Sequence, residues 1–200
     1  MSDAELIEKF LAGNIDAFNT LVRRWEKSIY SFLLRHAGKP EEAKDLCQES
    51  FIRAYRSLKQ LRDPQKFSTW MYRIALNVCR DEMKKRQRRK TFSLNGFDEV
   101  GEDNPNSGLK MARNASSDPH AAAQNRDVKV LLNRALQSIP EEQRVVIIMK
   151  EYQGLKFTEI AETLGISVNT AKSRMYYGLS ALKKVFDQWN IDREKIIHEM

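Results

Sequence analysis

The segment Phe157-Thr158-Glu159-Ile160-Ala161-Glu162-Thr163-Leu164-Gly165-Ile166-Ser167-Val168-Asn169-Thr170-Ala171-Lys172-Ser173-Arg174 constrains the chain more than any other. Ile160, Ala161 and Leu164 recur at helical spacing. Gly165 stops that helix, because glycine reaches the left-handed conformation that a tight turn needs. Ser167 is placed to cap a second helix by accepting a backbone N–H. Val168 and Ala171 then face inward, and Asn169, Thr170, Lys172, Ser173 and Tyr176 face outward. The segment therefore reads as a helix-turn-helix. A second helix with polar and basic residues in its first turns is what a DNA major groove accepts. The same pattern also fits an ordinary helical hairpin with a solvated basic face, so the rest of the chain must decide.

Composition narrows the choice. The 200 residues carry a formal net charge of +7, and 42% of them are hydrophobic. The charge favours an anionic partner, nucleic acid first and a membrane surface second. No apolar run approaches the roughly 20 residues of a membrane span, and the first residues lack a basic-then-apolar signal pattern. We expect no membrane insertion and a cytoplasmic location. Cys47 and Cys79 are the only cysteines, which suggests no disulfide framework.

The remaining pattern is helical throughout. Ser2 with Glu5 fits a capping box, and Gly13 closes the short helix that follows. Asn14 or Asp16 caps the next, whose apolar set is Phe18, Leu21, Val22, Trp25, Ile29, Phe32 and Leu33. Gly38 ends it. Pro40, Glu41 and Glu42 suit the first turn of a third helix, with Ala43, Leu46, Cys47, Phe51, Ala54 and Leu58 inward. A loop over 62–66 leads to a fourth helix, capped by Ser68 and running toward Arg89. Thr91 to about Pro119 is polar, with Phe92, Leu94 and Phe97 as its apolar patch, and reads as a linker. Helices from Asp118-Pro119 and from Pro140, the latter closing near Gly154, precede the helix-turn-helix. The expectation is an all-α chain. Two small helical domains, 1–90 and 119–187, are joined by a flexible linker, 91–118, and followed by a tail, 188–200.

Three stretches carry candidate chemistry. Lys84-Lys85-Arg86-Gln87-Arg88-Arg89-Lys90 is the densest positive run, suited to neutralising phosphates. Phe67 to Asn77 interleaves aromatic, basic and amide side chains. Trp70 and Tyr72 suit stacking on unpaired bases, or else a place in the core, and Asn77 suits a base edge. Asp45 and Glu49 form an acidic pair one helical turn apart, either a solvated face or a contact for a basic partner. His36, His120 and His198 are scattered, and neither a phosphate-binding loop nor a nucleophile motif occurs. No catalytic centre, metal or cofactor is expected.

Taken together these residues resemble bacterial RNA polymerase sigma factors of the extracytoplasmic-function group. Asp45-Leu46-Cys47-Gln48-Glu49-Ser50-Phe51-Ile52-Arg53-Ala54-Tyr55 is similar to the polymerase-binding helix of that family. Phe67 to Asp81 is similar to the segment that melts the minus-ten promoter element. Ile139 to Arg144 and the helix-turn-helix are similar to the domain that reads the minus-thirty-five element. The resemblance implies that Asp45, Leu46, Gln48, Glu49 and Phe51 dock on core RNA polymerase. It implies that Leu61, Arg62 to Lys66 and Asn77 hold a flipped minus-ten base, with Thr69 and Trp70 near the opened strand. Lys172, Ser173, Arg174, Tyr176 and Tyr177, beside Thr170, would read duplex DNA. Leu61 stands where the family commonly has an aromatic, and Tyr177 where it commonly has a basic residue. The implied partners are core RNA polymerase, promoter DNA and an anti-sigma factor. The alternative is a stand-alone helix-turn-helix regulator.

Overall fold

The structure is a computed structural model that describes residues 1–93 and 119–189, with side chains described for 1–89 and 128–189. The expected tail beyond Trp189 and most of the expected linker, with Leu94 and Phe97, lie outside the described residues, as does the side chain of Phe92. All regular elements among them are helical.

Local signals set most of the boundaries. Helix α1 (Asp3–Leu11) opens on a full capping box, in which the Glu5 N–H donates to Ser2 Oγ and the Ser2 N–H to the Glu5 carboxylate. Helix α2 (Ile15–Ala37) is capped by Asn14 and ends at Gly38, whose φ of 84° is left-handed. Helix α3 (Pro40–Ser57) starts on proline with two acids in its first turn. Between α3 and α4 (Phe67–Ser93) the chain makes two single 3-10 turns, and Asp63 caps the second by accepting from the Gln65 N–H. This cap replaces the one expected from Ser68. The Asp63-capped turn runs straight into α4, which therefore starts two residues earlier, at Phe67.

Helices α2, α3 and α4 form a bundle with α1 laid across α2. Leu21, Ile29, Phe32, Leu33, Met71 and Leu76 are at most 1% exposed. Each such side chain contributes about 1.5–3 kcal/mol by leaving water. In the second half, α5 (Pro119–Gln137) and α6 (Glu141–Ile147) lie against α8 (Val168–Gln188), with α7 (Phe157–Leu164) completing the unit. Gly178 lets α6 and α8 approach closely, because a Cβ there would stand 2.7 Å from Ile147 Cδ1. A wide π turn over Ile148–Tyr152 continues α6.

The two halves do not stand apart. Apolar side chains of both belong to one continuous cluster, and α7 packs on α4 while the π turn packs on α2. The Tyr72 hydroxyl donates to Gln153 Oε1 at 2.8 Å, and the Arg35 guanidinium lies 4.1 Å from the centre of the Tyr152 ring. At the back of the junction His36, 1% exposed, faces Cys79 Sγ through Nδ1 at 3.2 Å and Glu141 through Nε2 at 3.6 Å.

Candidate polymerase and DNA interfaces

Helix α3 separates its faces cleanly. Ala43, Leu46, Cys47, Ser50, Phe51 and Ala54 are buried in the bundle. Leu46 and Phe51, expected at the docking surface, are 4% and 8% exposed and point into the core. On the opposite face Asp45 and Gln48 are open to solvent. Ile52 and Tyr55, 45% and 44% exposed, continue their stripe. Positions 45, 48, 52 and 55 are spaced three, four and three residues apart, so all four share one side of a helix. Ile52 and Tyr55 lie within the polymerase-binding motif but not among the docking residues expected from the resemblance, and this spacing is the signal that adds them. The inner edge of Tyr55 rests on Phe10 and Phe18, with ring centres 5.3 and 5.2 Å away.

Glu49 is held rather than free. Arg53 Nε donates to it at 2.8 Å and Arg53 Nη1 donates to Asp81 at 2.7 Å. The two carboxylates, Asp81 first, raise the Arg53 pKa further above its ordinary value. A groove of about 320 Å³ runs between α3 and α4, lined by Glu42, Asp45, Glu49, Val78, Glu82 and Arg86 among others. Arg86, in the basic run, closes it through a 2.7 Å pair with Glu42.

The minus-ten candidates divide into exposed and covered groups. Arg62 and Asn77 are exposed, and Leu61 and Trp70 are half-buried. The Trp70 ring lies on Phe67, centre to centre 5.8 Å. Thr69 is 6% exposed and Tyr72 is 2% exposed, so both are part of the packed interior. For Tyr72 the core alternative holds. Burial pushes its phenol pKa up, and its hydroxyl is spent on Gln153. Lys66 is exposed but paired, with Nζ 2.6 Å from the Glu162 carboxylate.

The helix-turn-helix forms as the residues suggest. Gly165 has φ 66°, and Ser167 Oγ accepts from the Thr170 N–H at 3.0 Å. Ala171, Met175, Gly178 and Leu182 bury one face of α8. Thr170, Lys172 and Ser173 are exposed. So are Tyr176 and Tyr177, at 71% and 61%, with their rings meeting edge to face at 5.6 Å between centres. Arg174 departs from this set, since it is turned back to Glu142 at 2.5 Å. Among the described residues no group of three or more His, Cys, Asp or Glu is placed to hold a metal ion. No described helix is long and apolar enough to cross a membrane.

These elements match known families in the same order along the chain. Residues 21–89 match Sigma-70 region 2 and residues 129–182 match Sigma-70 region 4. The RNA polymerase sigma-H factor of Pseudomonas aeruginosa is 30% identical over 91% of this chain and 92% of its own. The ECF RNA polymerase sigma-E factor of Salmonella typhimurium is 32% identical over 91% of this chain and 93% of its own. The fold is also that of the sigma factor RpoE solved in complex with the anti-sigma factor NepR from Bartonella quintana. That structure has a TM-score of 0.67 and 21% identity, covering 86% of this chain and 98% of RpoE. A stand-alone helix-turn-helix regulator would have no use for a region 2, so that alternative is not favoured. The chain belongs to the RNA polymerase sigma factors, in the extracytoplasmic-function group, and is a transcription initiation factor that directs RNA polymerase to promoters.

Proposed function

We propose that the two halves divide promoter recognition between them and that α3 carries the polymerase contact. The observation that supports this most is the α3 stripe. Asp45 and Gln48 are open on the same face as the exposed apolar Ile52 and Tyr55. Exposed apolar side chains flanked by an acid and an amide suit a partner helix with basic and aliphatic residues. Leu46 and Phe51 then serve the docking surface from beneath, by holding α3 in place, and Glu49 serves it at the groove edge.

In this reading residues 1–90 bind polymerase and trap the unpaired minus-ten strand. Asn77 and Trp70 touch bases, and Leu61, Arg62, Lys66 and Thr69 shape the pocket. Residues 119–187 place Thr170, Lys172, Ser173, Tyr176 and Tyr177 in the major groove, with Arg174 joining them if it leaves Glu142. The chain works in the cytoplasm and catalyses no reaction itself. Trapping a flipped base offsets part of its unstacking cost, a few kcal/mol. The solved relative bound to an anti-sigma factor supports a partner of that kind for this chain.

The test is charge reversal on α3. An Asp45→Lys, Glu49→Lys variant is expected to lose co-purification with core polymerase while keeping its circular-dichroism melt. Retained polymerase binding by a folded double variant would remove α3 as the docking helix.

A further inference from the structure

Lys66, Arg73 and Arg80 lie seven residues apart, so they form one stripe along α4 and the turn before it, about 10 Å between successive side-chain origins. All three are occupied by the C-terminal domain. Lys66 Nζ is 2.6 Å from the Glu162 carboxylate. Arg73 Nε donates to the Thr163 carbonyl at 3.1 Å, and Arg73 Nη2 donates to the Glu162 carbonyl. Arg80 Nε is 2.8 Å from Glu141 Oε1. The acceptors are thus two carboxylates and the carbonyl end of α7, where the helix dipole is negative. Anionic oxygens set along a row of cations are what a phosphodiester chain also supplies. Trp70 and Asn77 stand four residues after Lys66 and Arg73, on the adjoining stripe of the same helix. Bases held there would bring their backbone beside the occupied cations.

The ion pairs of the closure are weak beside the apolar cluster that the two halves share. The Lys66 and Glu162 side chains are 53% and 40% exposed, and those of Arg80 and Glu141 are 36% and 33% exposed. Pairs this open to water are individually weak and screened by salt.

We propose that the chain occludes itself: Glu141, Glu162 and the C-terminal end of α7 occupy a phosphate track formed by Lys66, Arg73 and Arg80, so an unpaired DNA strand and the closed domain arrangement compete for α4. The inference rests on the strand-trapping role proposed above for Trp70 and Asn77. Only the open form binds the strand, which lowers the apparent affinity by the open fraction. By linkage the strand opens the protein as much as opening favours the strand.

The test uses the full chain and two variants. Glu141→Gln with Glu162→Gln removes the acids without touching α4, and Arg73→Gln removes the central cation. Small-angle scattering reads the domain arrangement. Fluorescence anisotropy reads binding to a labelled single-stranded oligonucleotide rich in A and T, and circular dichroism confirms folding. The acid variant is expected to expand and to bind the oligonucleotide about threefold to tenfold more tightly. Arg73→Gln is expected to expand and bind more weakly, and the unaltered chain to expand when the oligonucleotide saturates it. A plain structural role for these pairs predicts expansion in both variants with no opposite change in affinity, and that result would overturn the proposal. So would an acid variant that stays compact, or an unaltered chain already as expanded as the variants. If the strand-trapping role itself is wrong, the signature differs: neither the chain nor the acid variant binds the oligonucleotide, although their holoenzymes still transcribe a promoter.

Discussion

Helices α8 and α4 are both candidate DNA-reading helices, yet they meet solvent very differently. On α8 the face carrying Thr170, Lys172, Ser173, Tyr176 and Tyr177 is open, and its other face is packed on α6 and α7. On α4 the corresponding surface is shared. Asn77 is exposed, while Lys66, Tyr72, Arg73 and Arg80 are engaged by residues of the other half. A helix that meets intact duplex needs only to be rigid and uncovered. One that meets an opened strand acts later, and it can be covered until then. The lesson is that the face proposed for duplex DNA is open in the closed molecule except at Arg174, whereas the face proposed for the opened strand is partly covered.

The largest expected effect breaks the α8 side. Gly178→Val forces side-chain atoms into Ile147, where a Cβ alone would already be 2.7 Å away. Overpacking of this kind costs about 1–3 kcal/mol. The variant should melt earlier and lose binding to duplex carrying the upstream element. An unchanged melt would mean that α6 and α8 pack less tightly than described.

Lys172→Ala leaves the fold alone and tests the face directly. Loss of a good base contact costs about 1–3 kcal/mol at one sequence, whereas loss of a phosphate contact weakens all duplexes evenly. Titrations against a promoter panel separate the two. No loss on any duplex would take Lys172 out of the interface.

Asn77→Ala tests the α4 side, and a lost side-chain hydrogen bond there is worth about 1 kcal/mol. Duplex binding should stay intact while promoter opening slows. A template already opened by mismatches should rescue this variant partly and Lys172→Ala not at all. Equal defects on both templates would erase the difference between the two helices.

The smallest effect comes from acidity at the junction. Burial lowers the His36 pKa, opposed by Glu141 and reinforced by Arg144 and Arg80, with the Cys79 thiol on its other nitrogen. The unfolded chain therefore binds a proton near pH 6.5 that the folded chain refuses, so stability falls as pH drops through that region. Between pH 7 and pH 6 the loss is less than about 1 kcal/mol. Glu141 is itself lowered to about 2, first by His36 and then by Arg80. Its contribution is present above the ordinary carboxylate range and is lost only as pH falls from there toward 2. A His36→Gln variant should flatten the melting profile between pH 7 and 6. An identical slope with and without His36 would assign the change to other groups.

Much of this was legible because it is local. The Ser2–Glu5 box, the Asn14 cap, the glycines at 38 and 165 and the Ser167 cap each act within four residues. The helices and the open face of α8 follow from such signals and from apolar spacing. Proximity also explains the departures. Ser68 had the chemistry of a cap, but Asp63 reached the preceding turn first. The spacing of Leu46 and Phe51 places them inward, and they are buried, so only their second expected role at the docking surface departs; for Thr69 and Tyr72 it was packing that decided which way each points.

By itself the sequence determined the helical class, the order of the helices, the turn that makes the helix-turn-helix and the acidic pair of α3, since each is written in residues a few positions apart. Tertiary structure alone decided that the two halves close on each other. The pairs that do this, Arg80 with Glu141, Tyr72 with Gln153 and Lys66 with Glu162, span 61, 81 and 96 positions. Polar side chains at such separations leave no periodic trace. Each is as well satisfied by water as by its partner until the apolar cores bring the helices together.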